Sequence, residues 1–412
     1  MAAVLYLSYD GLTDPLGPSQ VLAYLVELAR AGHRISLVTF EKPERSAAER
    51  EALAAQCLAA GIDWHPQTYT KTPPILSTMK DLRVMTRVAE RLNARQWFDI
   101  VHCRSYLPAL VGARLKRKSG TRFLFDMRGF WADERVEGGL WDLAKPIYRA
   151  IYGWFKKQEK RLLAEADHVV VLTEAGRDIL RGEWQVPASV PVTVIPCCAD
   201  FAAFPAVTPD ARAAARRSLE IPGNATVAAY LGSIGTWYML GEMLDFFAVQ
   251  RARDPAAVLL FVTRDAPEPI LAPAAERGIP ASALRIQSGT RAEVPRLLAA
   301  ADYGLFFIRP TFSKQASSPV KLGELLAMEL PIVTNAGVGD VDRILEETGA
   351  GVSIDALDRS GYERALDELA TLRPDMTRWR EGRARWFDLG EGVRRYDAIY
   401  DELSALRPRG RG

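Results

Sequence analysis

The sequence predicts an α/β protein of two domains, each built on a parallel β-sheet with helices on both faces. Its 412 residues exceed what one hydrophobic core usually serves. Short apolar strands alternate with longer amphipathic helices, which is typical of parallel sheets. The alternation stops at a Pro- and Ala-rich segment around residues 197–210 and then restarts. We therefore predict domains over residues 1–200 and 201–385, and a C-terminal helix with a frayed tail over 386–412.

The first half contains seven predicted strands and at least four helices between them. Gly32 and Gly61 each follow a helix, as C-terminal caps do. The predicted strands are Ala3–Ser8, Ile35–Thr39, Ile62–His65, Ile100–Cys103, Phe123–Asp126, Val169–Leu172 and Thr193–Ile195. The predicted helices are Ser19–Ala31, Ala47–Ala60, Ile75–Gln96 and Tyr106–Lys118.

The second half repeats the pattern with six short strands. After Ser360 only helical patterns remain, to about Leu406, and the final RPRGRG is expected to fray. The predicted strands are Val227–Leu231, Val258–Val262, Leu284–Ile286, Tyr303–Phe307, Ile332–Thr334 and Val352–Ile354.

Composition excludes several classes of protein. The chain is 48% hydrophobic and 25% charged, with a net charge of +2, so nothing global indicates nucleic-acid binding. Its four cysteines lack paired C-x-x-C spacing, so neither a zinc site nor a disulfide framework is indicated, and a reducing cytoplasm fits. The N-terminus shows no signal-peptide pattern, and no apolar run is long enough to span a membrane.

The segment Ser317–Asp340, SSPVKLGELLAMELPIVTNAGVGD, is the most informative part of the chain. Ser318 followed by proline suits a helix start, where unpaired amides and the helix dipole favour a diphosphate. Lys321 could reach a phosphate, and Glu324, on the same face, could accept two hydrogen bonds from a ribose diol. The alternative is an ordinary amphipathic helix with a capping serine and a surface ion pair.

This motif, Ser-Pro-x-Lys-x-x-Glu followed by Asn-Ala-Gly-x-Gly-Asp, resembles the nucleotide-sugar motif of family-4 glycosyltransferases. The opening VLYLSYDGLTDPLGPSQVLAYLVELARAGHRISLVTFEKPE and the block DMRGFWADERVEGG resemble bacterial members that build surface polysaccharides. The resemblance implies the GT-B fold: two Rossmann-like domains facing a central cleft, with a C-terminal helix crossing back to the N-terminal domain. It also implies a retaining enzyme.

The resemblance assigns roles to the second half. The donor-binding residues would be Gly232, Ser233, Gly235, Arg264, Arg309, Ser317, Ser318, Val320, Lys321 and Glu324, joined by Gly17 of the first half. Lys321 and Glu324 are also the predicted catalytic residues of this half. Relatives often carry an arginine and a lysine in the loop of Gly232, but this loop has neither. The nucleotide base is expected near Gln287–Thr290, and solvated loop charges are the alternative for Arg264 and Arg309.

In the first half, the loop after the first strand would lie near the donor phosphates and the acceptor, with Asp10 and Asp14 on the acceptor side. The alternative is a flexible connector in which Ser19 caps the helix.

Many relatives carry a histidine after the fifth strand, whereas this chain has Asp126 and Arg128 there. We predict that both are catalytic, with Arg128 also contacting the acceptor. An internal Asp–Arg ion pair is the alternative. Further acceptor-side candidates are Asp133 and Glu134.

The chain departs from the family pattern at a second place. Family members usually carry two glutamates seven residues apart, and Ala316 stands at the position of the first. Ser317, Ser318 or Lys314 could compensate for its loss. This departure bears on both retention and the choice of sugar.

Residues 141–163, WDLAKPIYRAIYGWFKKQEKRLL, combine aromatic residues with six lysines and arginines, and Pro146 indicates where the helix starts. Such helices lie well on anionic bilayers. The alternative is a domain helix whose aromatic residues belong to the core.

The sequence therefore predicts a cytoplasmic, metal-independent hexosyltransferase that needs no cofactor besides its substrate, and residues 141–163 predict a peripheral location at the inner face of the plasma membrane. Its donor would be a nucleotide-diphosphate sugar, with uridine preferred. Its acceptor would be a lipid-linked or polysaccharide-precursor glycan. The alternatives are a GT-B sugar-nucleotide epimerase or hydrolase, and a non-catalytic glycan-binding or partner subunit.

Overall fold

A computed structural model describes residues 1–405 of the chain. They divide into two compact units. The first consists of Met1–Pro196 together with the C-terminal segment from Leu389, and the second of Cys197–Asp388. The tail RPRGRG, which the sequence predicts to fray, lies outside the described residues.

The first unit is built on a seven-stranded parallel sheet with the strand order β3-β2-β1-β4-β5-β6-β7. The order reverses between β1 and β4, so the loops that follow these two strands diverge there. The strands are β1 Ala3–Ser8, β2 Arg34–Glu41, β3 Asp63–Thr68, β4 Ile100–Arg104, β5 Arg122–Asp126, β6 His168–Val171 and β7 Val192–Val194.

Seven α-helices connect these strands along the chain. They are α1 Ala23–Arg30, α2 Ala47–Ala59, α3 Leu76–Arg95, α4 Tyr106–Ser119, α5 Trp131–Glu137, α6 Pro146–Glu165 and α7 Glu174–Arg181. A π-helical turn at Pro18–Leu22 leads into α1, and Gly17 occupies its N-cap without a side-chain hydrogen bond. The expected cap by Ser19 is therefore wrong, because the helical turn already begins at Pro18 and Ser19 lies inside it.

The second unit is built on a six-stranded sheet with the order β10-β9-β8-β11-β12-β13, which reverses between β8 and β11. All residues of β8 and β9 are buried, as expected for parallel strands covered on both faces. The strands are β8 Val227–Leu231, β9 Val258–Val262, β10 Leu284–Gln287, β11 Tyr303–Leu305, β12 Ile332–Asn335 and β13 Gly351–Ile354.

The helices of this unit are α8 Pro209–Ser218, α9 Leu240–Arg253, α10 Glu268–Glu276, α11 Val294–Leu298, α12 Val320–Ala327, α13 Val341–Thr348, α14 Arg359–Thr371 and α15 Met376–Phe387. A 3₁₀ turn at Phe312–Ala316 precedes α12. The predicted hydroxyl cap at Ser318 is wrong: the N-cap position is Pro319, and the Ser318 hydroxyl accepts a hydrogen bond from the Cys197 amide at 3.1 Å.

The last helix, α16 Leu389–Ala405, belongs to the first unit. It packs on α1 and β4. Tyr396 and Tyr400, four residues apart and therefore on one face, are both buried. The Tyr396 hydroxyl donates a hydrogen bond to Asp126 at 3.2 Å, and the Tyr400 hydroxyl forms a hydrogen bond with His102 at 2.7 Å.

Candidate functional site

The carboxyl edge of the second sheet carries an unusual buried cation. Lys321, in the first turn of α12, is only 6% exposed. Its ammonium nitrogen Nζ lies 3.9 Å from the ring centroid of Tyr230 and 3.5 Å from that of Tyr238. Among the described residues Nζ has no hydrogen-bond partner. Aromatic faces attract a cation, but they replace only part of its lost hydration.

Burial lowers the pKa of the Lys321 ammonium well below its usual value, although the Glu324 carboxylate acts in the opposite direction. Gly232 lies beside this ammonium at the end of β8 and has φ of +105°, in the region that favours glycine. A Cβ atom at position 232 would come within 3.5 Å of Nζ. An anion reaching Lys321 would therefore supply the charge partner that the protein lacks.

Glu324 follows one turn later on the same helix. Its side chain is 6% exposed, and Oε1 accepts a hydrogen bond of 2.8 Å from Nη1 of Arg291. Burial raises the pKa of this carboxyl, while Arg291 and Lys321 oppose the rise. The Arg291 guanidinium also lies 5.1 Å from the ring of Phe204.

Sequence reasoning missed Arg291. It directly follows Gln287–Thr290, the segment predicted to hold the base. A charged residue next to a predicted ligand-binding segment was the available signal.

The loop after β8 is tied down by Asp265, which sequence reasoning also missed. Its Oδ2 accepts hydrogen bonds from the Ser233 hydroxyl at 2.9 Å and from the Ile234 amide at 2.6 Å. The Gly235 amide donates to the Ser233 hydroxyl at 3.4 Å. Two amides of the predicted phosphate loop are therefore engaged internally.

The remaining predicted donor-binding residues of the second unit differ in exposure. Arg264 and Arg309 are exposed loop residues, as the solvated-charge alternative described. Ser317 and Val320 are partly exposed at the start of α12. Ala316 is buried, and the Lys314 ammonium lies 3.8 Å from the Trp237 ring centroid. The structure thus brings Gly232, Lys321 and Glu324 together, whereas the two arginines point to solvent.

In the first unit, the Asp126 carboxylate at the end of β5 is only 1% exposed. Its Oδ1 lies 4.0 Å from Arg128 Nη1, and its Oδ2 lies 3.9 Å from Nη1 of Arg104, another residue that sequence reasoning missed. Burial raises the pKa of Asp126, but Arg128, His102 and Arg104 outweigh it, so the pKa is lowered overall. This is the internal Asp–Arg pair that the sequence left as the alternative.

The loop after β1 is anchored by the buried Glu41, which accepts hydrogen bonds from the Leu12 amide at 2.8 Å and the Thr13 hydroxyl at 2.6 Å. Asp14 pairs with Lys42 at 2.6 Å. A Cβ atom on Gly17 would lie 2.2 Å from the Leu12 carbonyl, so packing requires glycine there. These contacts argue against the flexible connector that the sequence left as the alternative.

Asp10, by contrast, is exposed, and its carboxylate lies 4.0 Å from Arg104 Nε. Of the two aspartates of this loop, Asp10 is therefore the one that solvent reaches, since Asp14 is buried.

Asp133 is buried and receives hydrogen bonds from Tyr152 at 2.7 Å and Lys156 at 2.8 Å, both on α6. Lys156 also pairs with the buried Glu159, whose pKa burial raises to about 7. Asp133 is thus tied to the packing of α6, while its neighbour Glu134 is partly exposed.

The predicted basic segment 141–163 has two faces. Helix α6 starts at Pro146. Phe155, Leu162 and Leu163 are buried, whereas Ile147 is 57% and Trp154 46% exposed. The buried face fits the core-helix alternative, and the membrane interpretation of the exposed face stays a prediction. Within residues 1–405, none of the helices is sufficiently long and apolar to cross a membrane.

Residues 17–198 match the family model of the glycosyl transferase 4-like domain. The chain is similar to two D-inositol 3-phosphate glycosyltransferases. That of Salinispora tropica is 27% identical over 335 residues, covering 77% of this chain and 66% of the relative. The enzyme of Salinispora arenicola is 26% identical over 296 residues, which cover 68% of this chain and 63% of the relative. The chain thus spans slightly less than two thirds of the length of these curated relatives.

Three solved structures share the fold over nearly the whole chain. Sucrose-phosphate synthase from Thermosynechococcus elongatus has a TM-score of 0.72 at 17% identity, covering 99% of this chain and 100% of its own. Anabaena HepE in complex with UDP and glucose has a TM-score of 0.69 at 14% identity, and the match covers 98% of this chain and 100% of HepE. WaaG, a glycosyltransferase involved in lipopolysaccharide biosynthesis, has a TM-score of 0.65 at 16% identity, and the match covers 96% of this chain and 99% of WaaG.

The two parallel sheets and these neighbours confirm the predicted GT-B class of fold, with two Rossmann-like domains. Residues 17–198 therefore resemble a glycosyl transferase 4-like domain, and the curated relatives that the chain resembles are glycosyltransferases.

Proposed function

We propose that the protein transfers a hexosyl group from a nucleotide-diphosphate sugar, preferably a uridine one, to a lipid-linked or polysaccharide-precursor glycan. The observation that carries this proposal is the unpaired Lys321 ammonium beside Gly232, with Glu324 one turn further along α12. A buried cation without an anion raises the free energy of the unliganded protein. A diphosphate recovers that free energy on binding, so the site is suited to an anionic ligand.

Lys321 would stabilise the leaving nucleotide. Negative charge grows on the leaving diphosphate in the transition state, and a fixed cation in a water-poor site stabilises it most at that point. The start of α12 adds amides that have no intrahelical partners. Arg264 and Arg309, which are exposed loop residues, would add positive charge if their side chains turned towards a bound donor.

Glu324 would hold the ribose hydroxyls. Because Oε1 is occupied by Arg291, the ribose either replaces this guanidinium or binds Oε2, which receives no hydrogen bond from residues 1–405. UDP in the HepE complex is consistent with a uridine nucleotide as the first candidate.

We propose a metal-independent course, in which the buried lysine and the helix N-terminus supply the positive charge that the diphosphate needs. We further propose retention through front-face attack, with the Lys314–Ser318 segment replacing the glutamate that is absent at Ala316.

The acceptor class is inferred from the outer face of α6 and from the similarity to WaaG. Ile147 and Trp154 are exposed on α6, and so are Arg149, Lys157 and Lys160. Exposed apolar and basic side chains on one helix suit an anionic membrane surface, where a lipid-linked glycan would be met. A cytoplasmic protein peripheral to the inner membrane face follows from this proposal.

One observation favours a second candidate. The replacement of the first motif glutamate by Ala316 fits a non-catalytic GT-B subunit that binds donor without transferring the sugar.

A donor and acceptor panel separates the two candidates. Purified protein is incubated with UDP- and GDP-sugars, with and without membrane-extracted glycolipids, and glycosylated lipid and free nucleotide are measured. Transfer that persists in EDTA supports the proposal. Nucleotide release without acceptor indicates the hydrolase, and conversion of the donor into an epimeric nucleotide-sugar indicates the epimerase. Binding without turnover indicates the non-catalytic subunit.

A further inference from the structure

A buried polar network lies beneath the end of β5 in the first unit, whereas Gly232, Lys321 and Glu324 belong to the second. Helix α16 supplies two tyrosines to it. The Tyr396 hydroxyl donates to Asp126 Oδ2 at 3.2 Å, and the Tyr400 hydroxyl bonds His102 Nδ1 at 2.7 Å. His102 lies between them, with Nε2 at 3.6 Å from Asp126 Oδ2. Four polar side chains from three elements therefore share one interior space.

The bonding of the Asp126 carboxylate is asymmetric. Within residues 1–405, Tyr396 is the only side chain that donates a hydrogen bond to it. That bond reaches Oδ2, whereas Oδ1 has no hydrogen-bond partner and faces Arg128, whose Nη1 lies 4.0 Å away. Fixing Oδ2 thus fixes the direction in which Oδ1 attracts the guanidinium.

Arg128 occupies a strained piece of backbone. Its φ is +59°, and the following Gly129 has φ of +120°. A non-glycine residue in this region persists only where its surroundings determine it. Arg128 also lines a cavity of about 10 Å³, together with His102 and Tyr396. The cavity is about the size of one water molecule, so it leaves the side chains of Arg128, His102 and Tyr396 little room to move.

We propose that Tyr396 is a positioning residue for sugar transfer: its hydroxyl orients the Asp126 carboxylate, and this carboxylate holds Arg128 in place to contact the acceptor. The inference rests on the proposed function, since it assigns Arg128 to the acceptor. It gives the C-terminal helix a role in the reaction, through a contact that spans 270 residues of sequence.

The test begins with Tyr396→Phe, which removes only the hydroxyl. Loss of a hydrogen bond to a charged group corresponds to a fall in kcat of about tenfold. The KM for the donor should stay unchanged, because Gly232, Lys321 and Glu324 lie in the other unit. The matched control is Tyr303→Phe, which removes the equally buried hydroxyl that bonds Gln250 at 2.7 Å in the second unit. It should leave kcat and KM unchanged.

A double-mutant cycle with Arg128→Gln distinguishes positioning from general stabilisation. If Tyr396 acts through Arg128, Tyr396→Phe has no further effect on kcat once Arg128 is replaced. Effects that multiply, or an unchanged kcat in Tyr396→Phe, overturn the proposal.

The same cycle is measured in urea unfolding, which needs no substrate. Non-additive midpoint shifts support the coupling between Tyr396 and Arg128, and additive shifts overturn it. Unfolding measures the coupling between Tyr396 and Arg128 without any turnover. A wild-type protein that is inactive on every donor and acceptor would refute the proposed function, but the unfolding data would still show whether the two residues are coupled.

Discussion

Asp126 in the first unit and Lys321 in the second are both buried charges at the carboxyl edge of a parallel sheet, but they are satisfied differently. Asp126 lies near two arginines and a histidine and accepts a hydrogen bond from Tyr396. Lys321 lies between two tyrosine rings without a hydrogen-bond partner in the described chain. The comparison teaches that a buried charge surrounded by opposite charges and a hydrogen-bond donor is part of the architecture, whereas one without such neighbours marks a place for a ligand of opposite charge.

The largest effect is expected at Asp126. Asp126→Ala leaves Arg104 and Arg128 without their buried counter-charge, so the first unit should lose about 3–5 kcal/mol of stability. Denaturant unfolding, monitored with hydrogen exchange to locate the loss, measures it. Exposed Asp10 provides the control, and Asp10→Ala should change stability little. A stable, fully folded Asp126→Ala protein would show that the network is not architectural.

The same contrast applies to the lysines of α6. Lys156, paired with Asp133 and Glu159, is architectural, whereas the exposed Arg149, Lys157 and Lys160 are available to a membrane. Replacing these three by glutamine should remove about 1 kcal/mol of vesicle affinity each. Sedimentation with anionic and neutral vesicles at low and high salt measures this.

Lys156→Gln serves as the contrasting variant for that experiment, and it should destabilise the fold without a specific loss of vesicle binding. Binding that is equal on neutral and anionic vesicles and insensitive to the triple substitution would remove the electrostatic docking proposal.

Glu324→Ala sharpens the comparison within the second unit. If Glu324 holds the ribose, free nucleotide and donor should both bind more weakly by about 1.5–3 kcal/mol, the contribution of hydrogen bonds to a charged group. Titration calorimetry with UDP measures the change. The exposed Glu268 of α10 offers a control, since Glu268→Ala should leave affinity intact. Unchanged affinity in folded Glu324→Ala would remove this role.

Arg291→Ala should have the smallest effect and the opposite sign. The guanidinium is 40% exposed, so its pair with Glu324 contributes up to about 1 kcal/mol. If the ribose competes with Arg291 for the carboxylate, removing the arginine should strengthen UDP binding by up to about fivefold. Weaker binding in this variant would instead make Arg291 a direct ligand of the nucleotide.

Much of the fold could be predicted from sequence because parallel strands leave a continuous apolar signature, as β8 and β9 show. Helix α12 could be placed because proline and an apolar repeat mark its start. The N-cap of this helix could not be predicted, because the Ser318 hydroxyl accepts a hydrogen bond from the amide of Cys197, which is 121 residues away in the sequence. The same reason explains why Arg291, Asp265 and Glu41 were missed: each acts on a partner that only the tertiary fold brings near.

The central claim is that the Lys321 ammonium is held without a partner for an anionic donor. Lys321→Met keeps a side chain of similar length and removes the charge. The unliganded second unit should then become more stable by about 1–3 kcal/mol, because an unpaired buried polar group is lost. UDP affinity should fall by at least tenfold.

The sign of the pH dependence follows from the lowered pKa of Lys321 in the fold. Between the folded pKa and the unfolded value of 10.5, the unfolded chain binds more protons, so wild-type stability rises with pH in that window. The stability advantage of Lys321→Met should accordingly shrink as pH approaches 10.5.

The most direct measurement is therefore paired calorimetry and urea unfolding of wild type and Lys321→Met at pH 7, with and without UDP. Arg216→Met, which removes a buried cation that is fully paired with Asp302 and backbone carbonyls, is the control and should destabilise the unit. A Lys321→Met protein that is more stable and no longer stabilised by UDP is the predicted result. A variant that is less stable, or that binds UDP as tightly as wild type, would contradict the account.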